Sequence, residues 1–144
     1  MHVSAILKNK PATLITARPE DTVASVVQLL SGNRIGAVLA LDAKGTIAGI
    51  ISERDVVRGL AEHGPAVMER SVGDLMTRKV VSCRPDDTVA SVMEKMTQGR
   101  FRHLPVCDGD RLVGFISIGD VVKHRIDEQA QEVEHLREYV SGSF

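Results

Sequence analysis

Arg18-Pro19-Glu20-Asp21-Thr22-Val23-Ala24-Ser25-Val26 returns farther along the chain as Arg84-Pro85-Asp86-Asp87-Thr88-Val89-Ala90-Ser91-Val92. Pro19 and Pro85 stand 66 positions apart. Beyond them, Ser52-Glu53-Arg54-Asp55-Val56-Val57 returns as Ser117-Ile118-Gly119-Asp120-Val121-Val122, now offset by 65. The lost residue falls where Asp42-Ala43-Lys44-Gly45 faces the shorter Asp108-Gly109-Asp110. Two copies of about 55–60 residues, differing by one gap, indicate an internal duplication, and a unit longer than a solenoid repeat favours two copies pairing over an open array.

Each copy predicts the same elements. In the first, Thr13-Leu14-Ile15-Thr16 is a short β-rich run before Pro19. Val23, Val26, Val27 and Leu30 then fall on one helical face, with Asp21 or Thr22 as the N-cap. Ala37 to Leu41 reads as a buried strand, Asp42 to Gly45 as a turn, and Ile47 to Ile51 as the returning strand. Ser52 opens a helix through Leu60. The second copy follows with Val80-Val81-Ser82, a helix on Val89, Val92, Met93 and Met96, strands Leu104–Cys107 and Leu112–Ile116, and a helix from Ser117. The fold class is therefore α/β (α+β), a β-α-β-β-α unit made twice. A sheet this small cannot cover both its faces alone, so the two units are expected to pack sheet to sheet. The units are 3–60 and 72–126, the linker is 61–71 with one helical turn, and 127–144 is a helical tail.

Composition narrows the classes of function. The 144 residues are 43% hydrophobic and 26% charged, which marks a globular chain. A net charge of −1 removes the electrostatic footprint of a nucleic-acid binder. Aromatics at 3% and the absence of Trp leave no stacking platform for single strands. No apolar run is long enough to span a membrane, and Met1-His2-Val3 begins no signal peptide. Cys83 and Cys107 fit a reducing cytoplasm, and their spacing asks for no disulfide.

Catalytic motifs are missing: there is no Gly-x-Ser-x-Gly, no His-Glu-x-x-His and no Walker-type glycine loop. Both cysteines read as buried, inert thiols. His124, Glu128 and His135 lie on one stripe of the tail and read as a solvated face, not a metal site. Asp86 and Asp87 sit at a helix start, where negative charge is stabilised without any chemistry. In the tail, Val122, Ile126, Gln129, Val133, Leu136 and Val140 alternate steps of four and three, a coiled-coil seam with one polar member. Two readings stay open there: a last helix packed on its own domain, or one paired with a second subunit.

In this order and twice over, these motifs resemble tandem cystathionine β-synthase (CBS) domains, the Bateman module. The resemblance covers about residues 3 to 126. Its carriers are Pro-x-Asp-Thr-Val before each first helix, Arg102-His103-Leu104-Pro105-Val106-Cys107-Asp108, and the paired stretches Gly49-Ile50-Ile51-Ser52-Glu53-Arg54-Asp55 and Gly114-Phe115-Ile116-Ser117-Ile118-Gly119-Asp120. Small stand-alone bacterial proteins of this module look most similar.

The resemblance implies adenine-nucleotide binding in the cleft between the units, without catalysis. AMP is the first expectation, with ADP, ATP, NAD(H) and S-adenosylmethionine as alternatives. Asp55 and Ser52 would share one site with Ser82, Arg102 and His103. Asp120 and Ser117 would share the other with Thr16, Gly36 and Ala37. Each Asp would accept both ribose hydroxyls, and each Ser would mark a helix N-terminus open to phosphate. Ile35-Gly36-Ala37 and His103-Leu104-Pro105 would hold the adenine; Arg54 reads either as a phosphate contact or as an exposed helical arginine. On spacing alone, Ser-x-x-Asp reads first as a capping box, and the resemblance reverses that order. The second copy carries Arg100, Arg102 and His103 where the first carries Arg34 and Ile35-Gly36-Ala37, so unequal sites are expected, the one near Arg102 tolerating more phosphate. A homodimer and a separate regulated protein are the implied partners. The readings from other classes are a structural dimerisation unit with empty pockets and an enzyme acting on a bound nucleotide.

Overall fold

The computed structural model describes residues 1–10 and 13–141; the last three positions of the expected tail lie outside this set. In chain order the elements are α1 (Val3–Lys8), β1 (Thr16–Ala17), α2 (Val23–Asn33), β2 (Ala37–Leu41), β3 (Ile47–Ser52), α3 (Glu53–His63), a 3-10 segment (Gly64–Glu69), α4 (Val72–Leu75), α5 (Val89–Gly99), β4 (His103–Asp108), β5 (Arg111–Ser117) and α6 (Ile118–Val140). β1, β2 and β3 form one sheet, with β1 parallel and β3 antiparallel to the central β2. β4 and β5 form the second sheet, antiparallel.

The duplication extends to individual hydrogen bonds. Thr22 caps α2 by accepting from the Ser25 N–H, and Thr88 caps α5 by accepting from Ser91. The neighbouring Asp21 and Asp87 close the preceding turns instead, accepting from the Arg18 and Arg84 N–H groups. Val23, Val26 and Leu30 of α2, and Val89, Val92 and Met96 of α5, are the buried faces that the spacing predicts. Gly45 and Gly109 supply the positive φ at the tips of the two hairpins.

The two cores exchange their first helices. Val3 and Ile6 of α1 are buried among Val89, Val92, Leu104 and Ile116 of the second copy. Val72 and Met76, in and just after α4, are buried with Val23, Val26, Val38 and Ile51 of the first. Matching backbone bonds anchor both: the Val3 N–H donates to Asp87 O (2.9 Å) and the Val72 N–H to Asp21 O (2.7 Å). Neither short helix was read from the sequence, although Ser71-Val72-Gly73-Asp74 repeats the Ser-x-x-Asp cap, with Ser71 accepting from the Asp74 N–H.

Across the pseudo-two-fold axis the sheets face one another. Alternation along a strand puts Val38 and Ala40 of β2, and Leu104 and Val106 of β4, into their own cores. Leu39 and Pro105 point the opposite way yet are buried, which requires cover from the other sheet.

Several boundaries differ from expectation. The strand expected over Thr13–Thr16 is the two-residue β1, and the Val80-Val81-Ser82 strand is absent; only Cys83 bridges Val106. β-Propensity in these runs reports packing, not ladder pairing: Leu14, Ile15, Val80 and Val81 line cavities. α3 continues to His63, because Gly64, at φ 71°, is the first residue that stops it. α6 runs unbroken through position 126.

Candidate functional site: two clefts between the repeats

Two cavities of about 710 and 640 Å³ open between the repeats. Each takes the N-terminus of a strand-to-helix junction from one repeat and the entry to the central strand from the other. Cleft A joins Ser117 and Asp120 to Arg34, Ile35, Gly36 and Ala37, with Leu7, Lys10, Leu14 and Ile15 along its side. Cleft B joins Ser52, Arg54 and Asp55 to Arg100, Phe101, Arg102 and His103, with Thr77, Lys79, Val80 and Val81 along its side. Gly36 and His103 line both clefts and form the partition between them. The partition is tight at Gly36, where a Cβ would stand 3.2 Å from His103 Cε1 and press on the ring.

Both Ser-x-x-Asp motifs are capping boxes. Ser52 Oγ accepts from the Asp55 N–H (3.3 Å) while Asp55 Oδ2 accepts from the Ser52 N–H (2.9 Å). Ser117 and Asp120 repeat the pattern at 3.2 and 2.8 Å. The cap uses only Oδ2, so it leaves the second carboxylate oxygen for another partner. On Asp55, Oδ1 accepts from Thr77 Oγ1 at 3.3 Å and lies 3.8 Å from Arg58. On Asp120, Oδ1 receives no hydrogen bond among the described residues.

Cleft A contains its own cation. Lys10 Nζ donates to Asp120 Oδ2 at 2.6 Å and to the Phe115 carbonyl at 2.7 Å. Burial works to raise the Asp120 pKa, but the Lys10 hydrogen bond and charge, with the Ser117 N–H, outweigh it and hold the carboxyl below the usual range. At the partition, burial, assisted by Lys10, pushes the His103 imidazole below its ordinary pKa against the pull of Asp120. The ring stacks on Phe115 at 5.6 Å, presenting a flat apolar wall.

Cleft B is more cationic. Arg54, Arg58, Lys79, Arg100 and Arg102 line it against the two carboxylates of Glu53 and Asp55. Arg54 donates to the Arg100 carbonyl at 3.2 Å, tying one repeat to the other. Arg34 in cleft A and Arg100 in cleft B hold the left-handed conformation at the C-caps of α2 and α5, at φ 54° and 56°. Glycine is the residue favoured there, and a side chain kept against that preference points to a use for it.

Of the expected site residues, Ile35, Gly36, Ala37, Ser117 and Asp120 gather at cleft A, and Ser52, Arg54, Asp55, Arg102 and His103 at cleft B. Thr16 and Ser82 do not line them; Ile15 and Val81, one residue earlier, do. Leu104 and Pro105 also stand outside, Leu104 in the second core and Pro105 buried between the sheets. Lys10, Thr77 and Lys79 were not singled out from the sequence. They follow the exchanged helices, whose placement no local pattern discloses.

Cys83 and Cys107 are free. Burial, with Asp87 adding to it, pushes the Cys83 thiol up to about 11, so it is protonated and unreactive at neutral pH. Among the described residues no group of three or more His, Cys, Asp or Glu is placed to hold a metal, and no helix is long and apolar enough to cross a membrane.

Comparison with known proteins matches this geometry. A crystal structure of a CBS-domain containing protein from Agrobacterium tumefaciens superposes with a TM-score of 0.84 at 43% identity, over 86% of this chain and 92% of that one. The mitochondrial CBS domain-containing protein CBSX3 of Arabidopsis thaliana is 31% identical over 150 residues, 99% of this chain and 73% of the relative. The CBS domain pair of protein MJ0100, solved in complex with 5′-methylthioadenosine and S-adenosyl-L-methionine, superposes with a TM-score of 0.78 at 26% identity, over 89% of this chain and 98% of that one. The sequence model of the CBS domain matches twice, at residues 3–62 and 72–127. The chain belongs to the CBS domain family and is a tandem CBS pair.

Proposed function

We propose that this CBS pair is a regulatory sensor that binds an adenine nucleotide between its repeats and catalyses no reaction. The observation that carries the reading is the junction in each cleft, where a helix N-terminus bearing a carboxylate meets the central strand of the other repeat. The helix dipole there favours a phosphate. Asp120 Oδ1 is open to a ribose hydroxyl, Asp55 Oδ1 accepts one by exchanging its bond from Thr77, and the walls at Ile35–Ala37, Phe101 and His103 suit an adenine ring. The MJ0100 pair, which holds two adenosine derivatives, supports the ligand class. AMP is the first ligand to test, followed by ADP, ATP, NAD(H) and S-adenosylmethionine.

The clefts are unequal in this reading. Cleft B has the cationic excess and takes the more highly charged ligand. In cleft A, Lys10 already occupies Asp120, so a ligand there must displace or share it, and this is the weaker site. Ligand shifts the relative pose of the repeats only by its difference in affinity for the two poses. The output passes to a separate protein in the cytoplasm, and the sensor works as a homodimer. The competing reading, a structural unit with empty pockets, draws on the same Lys10–Asp120 pair, which satisfies the acid without any ligand.

A thermal-shift series with those ligands on wild type, Asp55→Ala and Asp120→Ala separates the readings. At 100-fold excess over Kd, binding adds about 2.7 kcal/mol, which raises Tm by roughly 5–10 °C for a domain of this size. The shift is expected to shrink most in Asp55→Ala. No ligand raising Tm in wild type supports the empty-pocket reading, and an undiminished shift in both variants removes the carboxylates from the site.

A further inference from the structure

α6 leaves the body of the molecule with an apolar stripe that nothing among the described residues covers. Val122, Ile126, Val133, Leu136 and Val140 are 44%, 59%, 47%, 62% and 75% exposed. The body-facing side of the same helix carries Val121, His124 and Glu128, which are buried or half-buried. At 100° per residue the two faces stand about 130° apart around the helix. The stripe therefore continues outward after the helix has met its own core, and packing along its own domain ends at Glu128 among the described residues.

We propose that this stripe pairs with α6 of a second copy of the chain as a parallel, in-register two-helix seam. With Gln129, the exposed residues alternate steps of four and three, which places Ile126, Val133 and Val140 at a and Val122, Gln129 and Leu136 at d. β-Branched residues at a suit a two-stranded seam. Two features select the parallel arrangement. In it, Gln129 meets its own copy and the two amides can bond each other, whereas an antiparallel pairing of Ile126 with Leu136 sets Gln129 against Val133 and strands both amides. Glu132 at g then faces Arg137 at e of the second copy, an attractive pair made twice by symmetry. The antiparallel register instead sets Lys123 near Arg137 of the second copy, a like-charge pair made twice. The capping box of Ser117 and Asp120 has already nucleated the helix, so pairing does not bear the cost of starting it.

The proposal rests on the homodimer in the functional reading, not on the nucleotide. Sedimentation of the full chain and of an Ile126→Glu/Leu136→Glu variant tests it, with circular dichroism to show that both are folded. A dimer is expected for wild type, with dissociation at least ten times stronger in the variant. A monomeric wild type overturns both the homodimer and the seam. A wild-type dimer that the two substitutions leave unchanged overturns the seam alone. Orientation is read from a Leu136→Cys/Cys107→Ser variant under mild oxidation. The parallel seam gives a cross-linked dimer at once; the antiparallel one separates the two thiols by about 15 Å and gives none, which overturns the parallel assignment.

Discussion

Arg34 and Arg100 hold the left-handed conformation, which costs a non-glycine residue about 1–2 kcal/mol. Each stands at a cleft mouth, at the C-cap of a first helix, and the duplication has preserved both. On the proposed function, each arginine is kept there to meet a ligand phosphate. The ion-pairing role and the backbone role separate cleanly at Arg100, because Arg54 donates to its carbonyl and not to its side chain. Arg100→Gly is therefore expected to match or exceed wild-type stability by up to about 1 kcal/mol, relief of strain being offset by the freer unfolded chain. Affinity for a phosphate-bearing ligand in cleft B is expected to fall about tenfold or more, the value of a hydrogen bond to a charged group. Urea unfolding and calorimetric titration measure the two quantities; a loss of stability with affinity unchanged would reverse the assignment.

The repeated elements were legible because their signals are local. Thr22 and Thr88 announce their helices, the 3.6-residue spacing marks the buried faces, and Gly45 and Gly109 mark the hairpins. The exchanged helices α1 and α4 were not legible, because each is a turn or two long and is held by the opposite repeat. The cleft lining followed suit. Asp55, Asp120, Arg102 and His103 lie at motif positions, whereas Lys10, Thr77 and Lys79 reach the clefts only through the exchange. Two glycines register this packing. A Cβ at Gly49 of β3 would stand 2.8 Å from the Thr77 carbonyl and 2.7 Å from Met76 Sδ, while one at Gly114 of β5 would meet the end of the Leu7 side chain at 2.5 Å. Backbone cannot step aside as a leucine methyl can. Gly49→Ala is thus expected to cost about 1–3 kcal/mol as overpacking, and Gly114→Ala clearly less, in paired denaturant melts. Equal costs would show that the junction of α4 with β3 is not rigid.

At the scale of the whole molecule, two small sheets of two and three strands face one another across the pseudo-two-fold axis, and the exchanged helices tie their cores together. That arrangement leaves the ends of the seam open, and the open ends are the clefts. His103 and Gly36 separate them with a single wall. The same duplication that built the fold has therefore produced paired sites with different charge, one with its carboxylate held by Lys10 and one ringed by arginines. A crystal structure of the chain grown with saturating AMP examines this account most directly. Density is expected in cleft B, its ribose hydroxyls on the Asp55 carboxylate and its phosphate toward Arg100 and Arg102. AMP bound outside both clefts, or both clefts empty while AMP is held elsewhere, would contradict it.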